Sequence, residues 1–294
     1  MANKRVQFSH PIIPYLFIAP QMLIIAIFFI WPALQAAYLS FMLEDPWGMS
    51  REFVGLENYQ YLFNSAEYLY SFGFSIVFSA LVAFLSLGTA LILAVKANAV
   101  LHMQSTYRVL ITWVYAIAPA VAGITAYFIF NRHIGVMYDF LNSLGWQFNP
   151  EADAVDASAL LILVSVWKQI PVNFVFFLAG LQGIPKAVRE AAALDCANER
   201  RRFWTITFPL LAPTGFFLLV INITYAFFDT FGIIDTLTQG TPGGRTTTLV
   251  YKVYQDGFLG ADLGLSSAQS VVLMLLVLSL TFVQFRFIER KIHY

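Results

Sequence analysis

The 294-residue chain is poor in charge and nearly devoid of cysteine. Charged residues make up 12% of it, about half the roughly 25% of soluble domains. That scarcity argues against a disordered chain, a basic nucleic-acid binder and an ordinary soluble enzyme. Basic and acidic residues balance at 17 each, so no bulk field draws the chain toward charged partners. Cys196 is the only cysteine, which excludes an internal disulfide and any multi-cysteine metal site. The four histidines, His10, His102, His133 and His293, are scattered over tails and loops. H-E-x-x-H, G-x-S-x-G and phosphate-loop patterns are absent. No catalytic residue, metal site or cofactor is therefore expected in this chain, and any ATP chemistry belongs to another one.

What the sequence has instead is apolar length. Hydrophobic residues reach 59% and aromatics 17%, with 29 Phe. Six continuous apolar stretches, at about residues 15–37, 72–95, 109–130, 158–181, 213–232 and 265–285, match the roughly 20 residues a helix needs to cross a bilayer. Their continuity excludes a barrel, whose strands alternate polar and apolar positions. The expected fold is an all-α integral membrane bundle of six transmembrane helices in one domain, residues 1–294. Lys4 and Arg5 precede the first stretch as they would a signal peptide. The run exceeds a signal core and no small-x-small cleavage site follows, so it reads as a retained helix.

Orientation follows from basic residues, which favour the cytoplasmic side. Lys4, Arg5, Lys96, Arg108, Lys186, Arg189, Arg200, Arg201, Arg202, Arg286, Arg290 and Lys291 share one side. The opposite loops hold Arg51, Arg132, Arg245 and Lys252 beside acids such as Glu44, Asp45, Glu57, Asp139 and Glu151. Both termini are expected in the cytoplasm. The outer loops are longer than ordinary connections, which suits a pore cover or a docking surface; a solvated cap without a role is the plainer alternative.

The inner loop 184–212 carries an amphipathic pattern. Pro185 suits a first helical turn, and Ile184, Val188 and Ala192 recur on one helical face. Arg200 to Arg202 follow. Docking to a cytoplasmic partner and simple rest on lipid headgroups both fit this pattern.

Polar residues within the spans default to a functional hypothesis. The fourth stretch holds Lys168, Gln169 and Asn173 around Pro171. Pro171 frees the carbonyl of Trp167, and a break with exposed backbone is tolerated where it lines a cavity. The fifth stretch holds Asn222, Tyr225 and Asp229 on one helical stripe. These six residues form either a substrate pathway, with Lys168 meeting an anionic or hydroxylated solute, or interhelical hydrogen bonds in which Lys168 snorkels or pairs with Asp229.

Glu190-Ala191-Ala192, Asp195, Ala197, Phe203, Ile206 and Pro209 resemble the EAA loop of bacterial ATP-binding-cassette importer permeases, with Cys196 in place of the usual glycine. Phe53-Val54-Gly55-Leu56-Glu57-Asn58-Tyr59 resembles the sugar-type branch of that family. Val166-Trp167-Lys168-Gln169-Ile170, Tyr225-Ala226-Phe227-Phe228-Asp229, Thr246-Thr247-Thr248-Leu249-Val250-Tyr251-Lys252 and Ser266-Ser267-Ala268-Gln269-Ser270 resemble permeases of sn-glycerol-3-phosphate importers. The resemblance implies an inner-membrane assembly with a second permease, two ATPase subunits that bind ATP and Mg, and an external solute-binding protein. It implies that the EAA helix is a coupling helix, with Glu190, Ala191, Ala192 and Asp195 at the ATPase contact. ATP-driven closure of the ATPases would then turn the cavity between inward-facing and outward-facing states. The function it implies is import of sn-glycerol-3-phosphate and related glycerophosphodiesters. A neutral sugar or oligosaccharide is the alternative solute, and an autonomous transporter or channel the alternative class.

Overall fold

A computed structural model describes residues 12–44, 50–99, 104–195 and 198–288. Lys4, Arg5, His10, Asp45, His102, Cys196, Ala197, Arg290, Lys291 and His293 lie outside the described residues.

Helix α1 runs Ile13–Leu39. A two-stranded antiparallel hairpin, β1 (Met42–Glu44) with β2 (Arg51–Phe53), follows it and pairs Leu43 with Glu52. A short helix α2 (Glu57–Asn64) leads into α3 (Ala66–Ala99). The pair α4 (Ser105–Ala116) and α5 (Pro119–Phe130) comes next. Then come α6 (Val136–Ser143), α7 (Ala154–Gly183) and α8 (Lys186–Asp195). Helix α9 covers Glu199–Asp229. The short helices α10 (Phe231–Leu237) and α11 (Leu249–Tyr254) precede α12, Leu263–Arg286. Five of these helices are long and apolar enough to span a membrane, and the α4–α5 pair makes a sixth span if its two pieces are taken together.

Three expectations need correction. The third apolar run is not one straight span, because α4 and α5 meet at 98°. The residue before a proline is pushed toward extended backbone. Ala118 is extended and Pro119 opens α5, where its missing N–H costs nothing. The break at Pro171, by contrast, does not occur: α7 runs through it as one helix of 30 residues. The fifth span is also longer than expected. It begins at Glu199, capped by the Asn198 side chain accepting from the N–H of Arg200 at 3.0 Å, so Arg200 to Arg202 lie in its first turn instead of a loop.

The centre of the bundle is α3 packed along α7, with α9 against both. The buried face of α3 is mostly small residues, Ser71, Ser75, Ser79, Ala83, Ser86, Ala90, Ala94 and Ala97, interrupted by Tyr68, Phe78 and Val82. Small side chains let helices approach where lipid supplies no hydrophobic drive. Phe174, Phe177, Leu178, Leu211 and Leu218 fill the space against Ala90 and Ala94. A second core joins Phe78, Val82, Leu161 and Val164 to Ile233 and Ile234 of α10.

The half-helix α5 lies against α10. Gly123 permits this: a Cβ built on it would overlap Thr236 Oγ1 and stand 3.0 Å from the Ile233 carbonyl. Helix α12 packs on the C-terminal half of α1, on α2 and on α11. No residue of Ile13–Ile25 is buried, so this apolar segment turns its side chains away from the bundle.

Candidate transport cavity

The kink between α4 and α5 opens a cavity of about 530 Å³. Its wall comprises Tyr115 to Pro119 from the kink, Lys168, Gln169 and Val172 from α7, and Ile221, Tyr225 and Asp229 from α9. Four of the six residues expected to form a pathway, Lys168, Gln169, Tyr225 and Asp229, thus converge on one space. The other two, Asn173 and Asn222, do not line it.

Lys168 is 7% exposed, and a buried ammonium within a membrane is costly without partners. Its Nζ donates to the carbonyl oxygens of Val114 at 3.2 Å and Tyr115 at 3.1 Å, and stands 5.4 Å from the centre of the Tyr115 ring. These carbonyls sit where α4 stops, so they lack the partners of an uninterrupted helix. The negative end of the α4 dipole also favours a cation there. Lys168 therefore neither snorkels nor pairs with Asp229; among the described residues it makes no ion pair. An ammonium carries three N–H donors, so one remains beyond the two carbonyls.

Tyr225 donates its hydroxyl to the Ser165 carbonyl at 3.2 Å, which ties α9 to α7 beside the cavity. Tyr225 and Asp229 open and close a π-helical turn. Such a turn inserts an extra residue and re-aims the side chains that follow. Asp229 is exposed at the cavity.

Asn173 and Asn222 are fully buried and complete a closed network. Asn173 Nδ2 donates to Asn222 Oδ1 at 3.0 Å, and Asn222 Nδ2 donates back to Asn173 Oδ1 at 2.7 Å. Ser86 donates to Asn222 Oδ1 at 2.8 Å and accepts from Asn173 at 3.1 Å. Three helices are thereby joined below the cavity wall.

At the α8 end of the bundle, Glu190 faces solvent with Lys186 at 3.3 Å, and Ala191 is exposed. Ala192 is 5% exposed and Ile184 8%, whereas Val188 is 38% exposed. The expected apolar face is turned inward at two of its three positions. A space of about 300 Å³ lies behind it, bordered by Ala192, Arg189 and Asn98. Asp195 closes α8.

One polar cluster was not anticipated. Lys252 binds Glu67 at 2.9 Å and Asp256 at 3.1 Å, and Asp256 also accepts from Gln269 Nε2. Three helical segments, α3, α11 with its continuation and α12, are tied by it. Burial pulls the Lys252 pKa down, but Glu67 and Asp256 outweigh it and hold the pKa above its ordinary value. The neighbouring Tyr251 hydroxyl, 3.3 Å from Asp235, is pushed up to about 12 by burial and by that carboxylate. Thr246, Thr247 and Thr248 beside them are buried. Residues of an apparent loop thus form part of the packed structure, and nothing in local spacing announced it.

A bundle of apolar helices around a kinked span, with a charged residue buried at a cavity, is the architecture of a membrane transport component. The sequence agrees. The family of binding-protein-dependent transport system inner membrane components matches over residues 8–294, and the chain belongs to that family. It is 51% identical over 291 residues to the sn-glycerol-3-phosphate transport system permease protein UgpA of Brucella abortus, with 99% of each chain covered. It is 50% identical over 294 residues to UgpA of Yersinia enterocolitica, covering the whole of both. Its fold is similar to that in the crystal structure of a bacterial alginate ABC transporter in complex with alginate pentasaccharide-bound periplasmic protein. The TM-score there is 0.80 at 20% identity, over 95% of this chain and 94% of the other.

Proposed function

We propose that this chain is a permease subunit of an ATP-driven importer that moves sn-glycerol-3-phosphate, and glycerophosphodiesters of the same chemistry, into the cytoplasm by alternating access. The observation that carries this reading is the full-length likeness, at about half of all positions, to two sn-glycerol-3-phosphate permeases. The cavity is in accord with it. Lys168 brings a spare donor and a positive charge to a space of about 530 Å³, and a phosphate ester is a charged acceptor for such a donor.

A second permease completes the membrane pathway, two ATPase subunits bind ATP and Mg, and an external solute-binding protein delivers the solute. The exposed Glu190 and Ala191 and the end of α8 at Asp195 form the face offered to an ATPase, while Ala192 seats the helix against the bundle. The apolar length of α1 and the other exposed helix faces meet lipid and the second permease. Both termini and α8 lie on the cytoplasmic side, where the basic residues are concentrated.

The experiment is uptake of labelled sn-glycerol-3-phosphate in cells with and without this chain. All other components are present, other carriers of that solute are deleted, and labelled maltose serves as the control. Loss of sn-glycerol-3-phosphate uptake alone supports the assignment. Unchanged uptake of it with loss of sugar uptake overturns the assignment in favour of a neutral solute.

A further inference from the structure

The Lys168 ammonium takes part in two features at once. Two of its donors hold the carbonyls of Val114 and Tyr115, which are the last turn of α4 before the 98° bend. The same ammonium borders the cavity that the bend opens. A backbone break at membrane depth persists only where its polar groups are satisfied. Among the described residues the Tyr115 carbonyl has Lys168 as its one hydrogen-bonding partner, and the Val114 carbonyl has Lys168 and the Ile117 N–H, the latter at 3.2 Å.

We infer that Lys168 is a positioning residue for the kink between α4 and α5, and that the phosphate group of the solute competes with the Val114 and Tyr115 carbonyls for its ammonium. A phosphate oxygen is a stronger acceptor for a cation than a neutral carbonyl. Lys168 has a flexible four-carbon stem, so its head turns toward an anion without moving α7. Solute entry therefore unclamps the kink. The bend is rigid when the cavity is empty and loosens when it is filled. The bistable element is the segment 113–120, and the bias on it is the differential affinity of one ammonium for carbonyl or phosphate. The kink also carries α5, whose Gly123 is seated on α10. Loosening of the bend is thereby passed to the segment that follows α9. A neutral solute would leave the clamp closed.

This inference rests on the reading of the cavity as the solute pathway. Its test is hydrogen–deuterium exchange of the 113–120 amides in the full complex, in lipid nanodiscs without nucleotide. sn-Glycerol-3-phosphate is supplied from both faces, and occupancy is checked by retention of the radiolabelled compound. Occupied wild type is expected to exchange about tenfold faster than empty wild type, the scale of one hydrogen bond to a charged group. Glycerol is expected to have no effect. Lys168→Gln is expected to exchange fast from the start and not to respond, and Lys168→Arg to restore both the slow state and the response. Unchanged exchange in occupied wild type overturns the clamp while leaving the transport assignment standing, and so does an equal response to glycerol. Failure of wild type to retain sn-glycerol-3-phosphate at all removes the underlying pathway reading and the clamp with it.

Discussion

Asn173 and Asn222 donate to each other, at 3.0 Å and 2.7 Å, from two helices that cross the bundle in opposite directions. Each side chain amide is the other's partner, and Ser86 of a third helix closes the set. With no exposure at either residue, this pair acts as a bolt between helices in the conformation described, beside the cavity but not in its wall.

Asn222→Ala should therefore act on folding more than on the solute. It leaves Asn173 Oδ1 buried without its donor, while Asn173 Nδ2 keeps Ser86, at a cost of about 1–3 kcal/mol, toward the lower end if the variant repacks as membrane bundles often do. The expected result is a lower melting temperature of the purified complex and reduced uptake through reduced amount, with KM unchanged. Thermal melts and uptake normalised to protein amount are the check. A raised KM at normal stability would return Asn222 to the pathway.

Gly123 should tolerate no side chain. Gly123→Ala places a methyl into Thr236 Oγ1 and against the Ile233 backbone, and overpacking of this kind costs about 1–3 kcal/mol. Thr236→Ala in the same chain should recover part of the loss, since the hydroxyl is one of the two obstacles. A double-mutant cycle on melting temperature measures the coupling; strictly additive effects would show that α5 and α10 do not meet as described.

The Lys252 cluster predicts an alkaline limit. A lysine pKa held above its ordinary value contributes stability that is complete below the unfolded value of about 10.4. That stability is lost as pH rises through the folded value. Tyr251, raised to about 12, loses stability above its own unfolded value of about 10, with the same sign. Lys252→Met should therefore lower stability at neutral pH and shrink the alkaline fall without abolishing it. Lys252→Met with Tyr251→Phe should flatten it further. Melting temperatures from pH 7 to about 12 decide this, and an unchanged alkaline fall in the double variant would contradict it.

Glu190 and Lys186 form an exposed pair one helical turn apart, worth about 0.3–0.5 kcal/mol at most. Glu190→Ala should leave the fold intact and weaken recovery of the ATPase subunits with the permease. Undiminished co-purification and uptake would take Glu190 out of the contact.

The helices were largely legible because an apolar run of about 20 residues has few other fates. The bend at 117–118 was not, because hydropathy reports length and says nothing of direction; Pro119 was its only local mark. Pro171 drew attention by the same rule, yet a proline inside a packed span leaves α7 continuous. The stripe Asn222, Tyr225 and Asp229 assumed a regular helix. Asn222 faces Asn173, and the π-helical turn at Tyr225–Asp229 places the later two at the cavity. Lys168 was legible as important, but not its partners. Those are backbone carbonyls of another helix, and no side-chain pattern encodes a carbonyl. The Thr246 to Lys252 run stood out as a motif, while its burial depends on contacts with Ser75 and Glu67 far away in sequence.

Import by the proposed route requires the Lys168 ammonium to meet an anionic solute in this cavity. Its most direct measurement is the initial rate of sn-glycerol-3-phosphate transport by the reconstituted complex carrying Lys168, Lys168→Arg or Lys168→Gln at equal protein amounts. Near-normal transport is expected with Arg and a loss of tenfold or more with Gln, the scale of one charge-assisted hydrogen bond at about 1.5–3 kcal/mol. Equal rates for all three chains would contradict it.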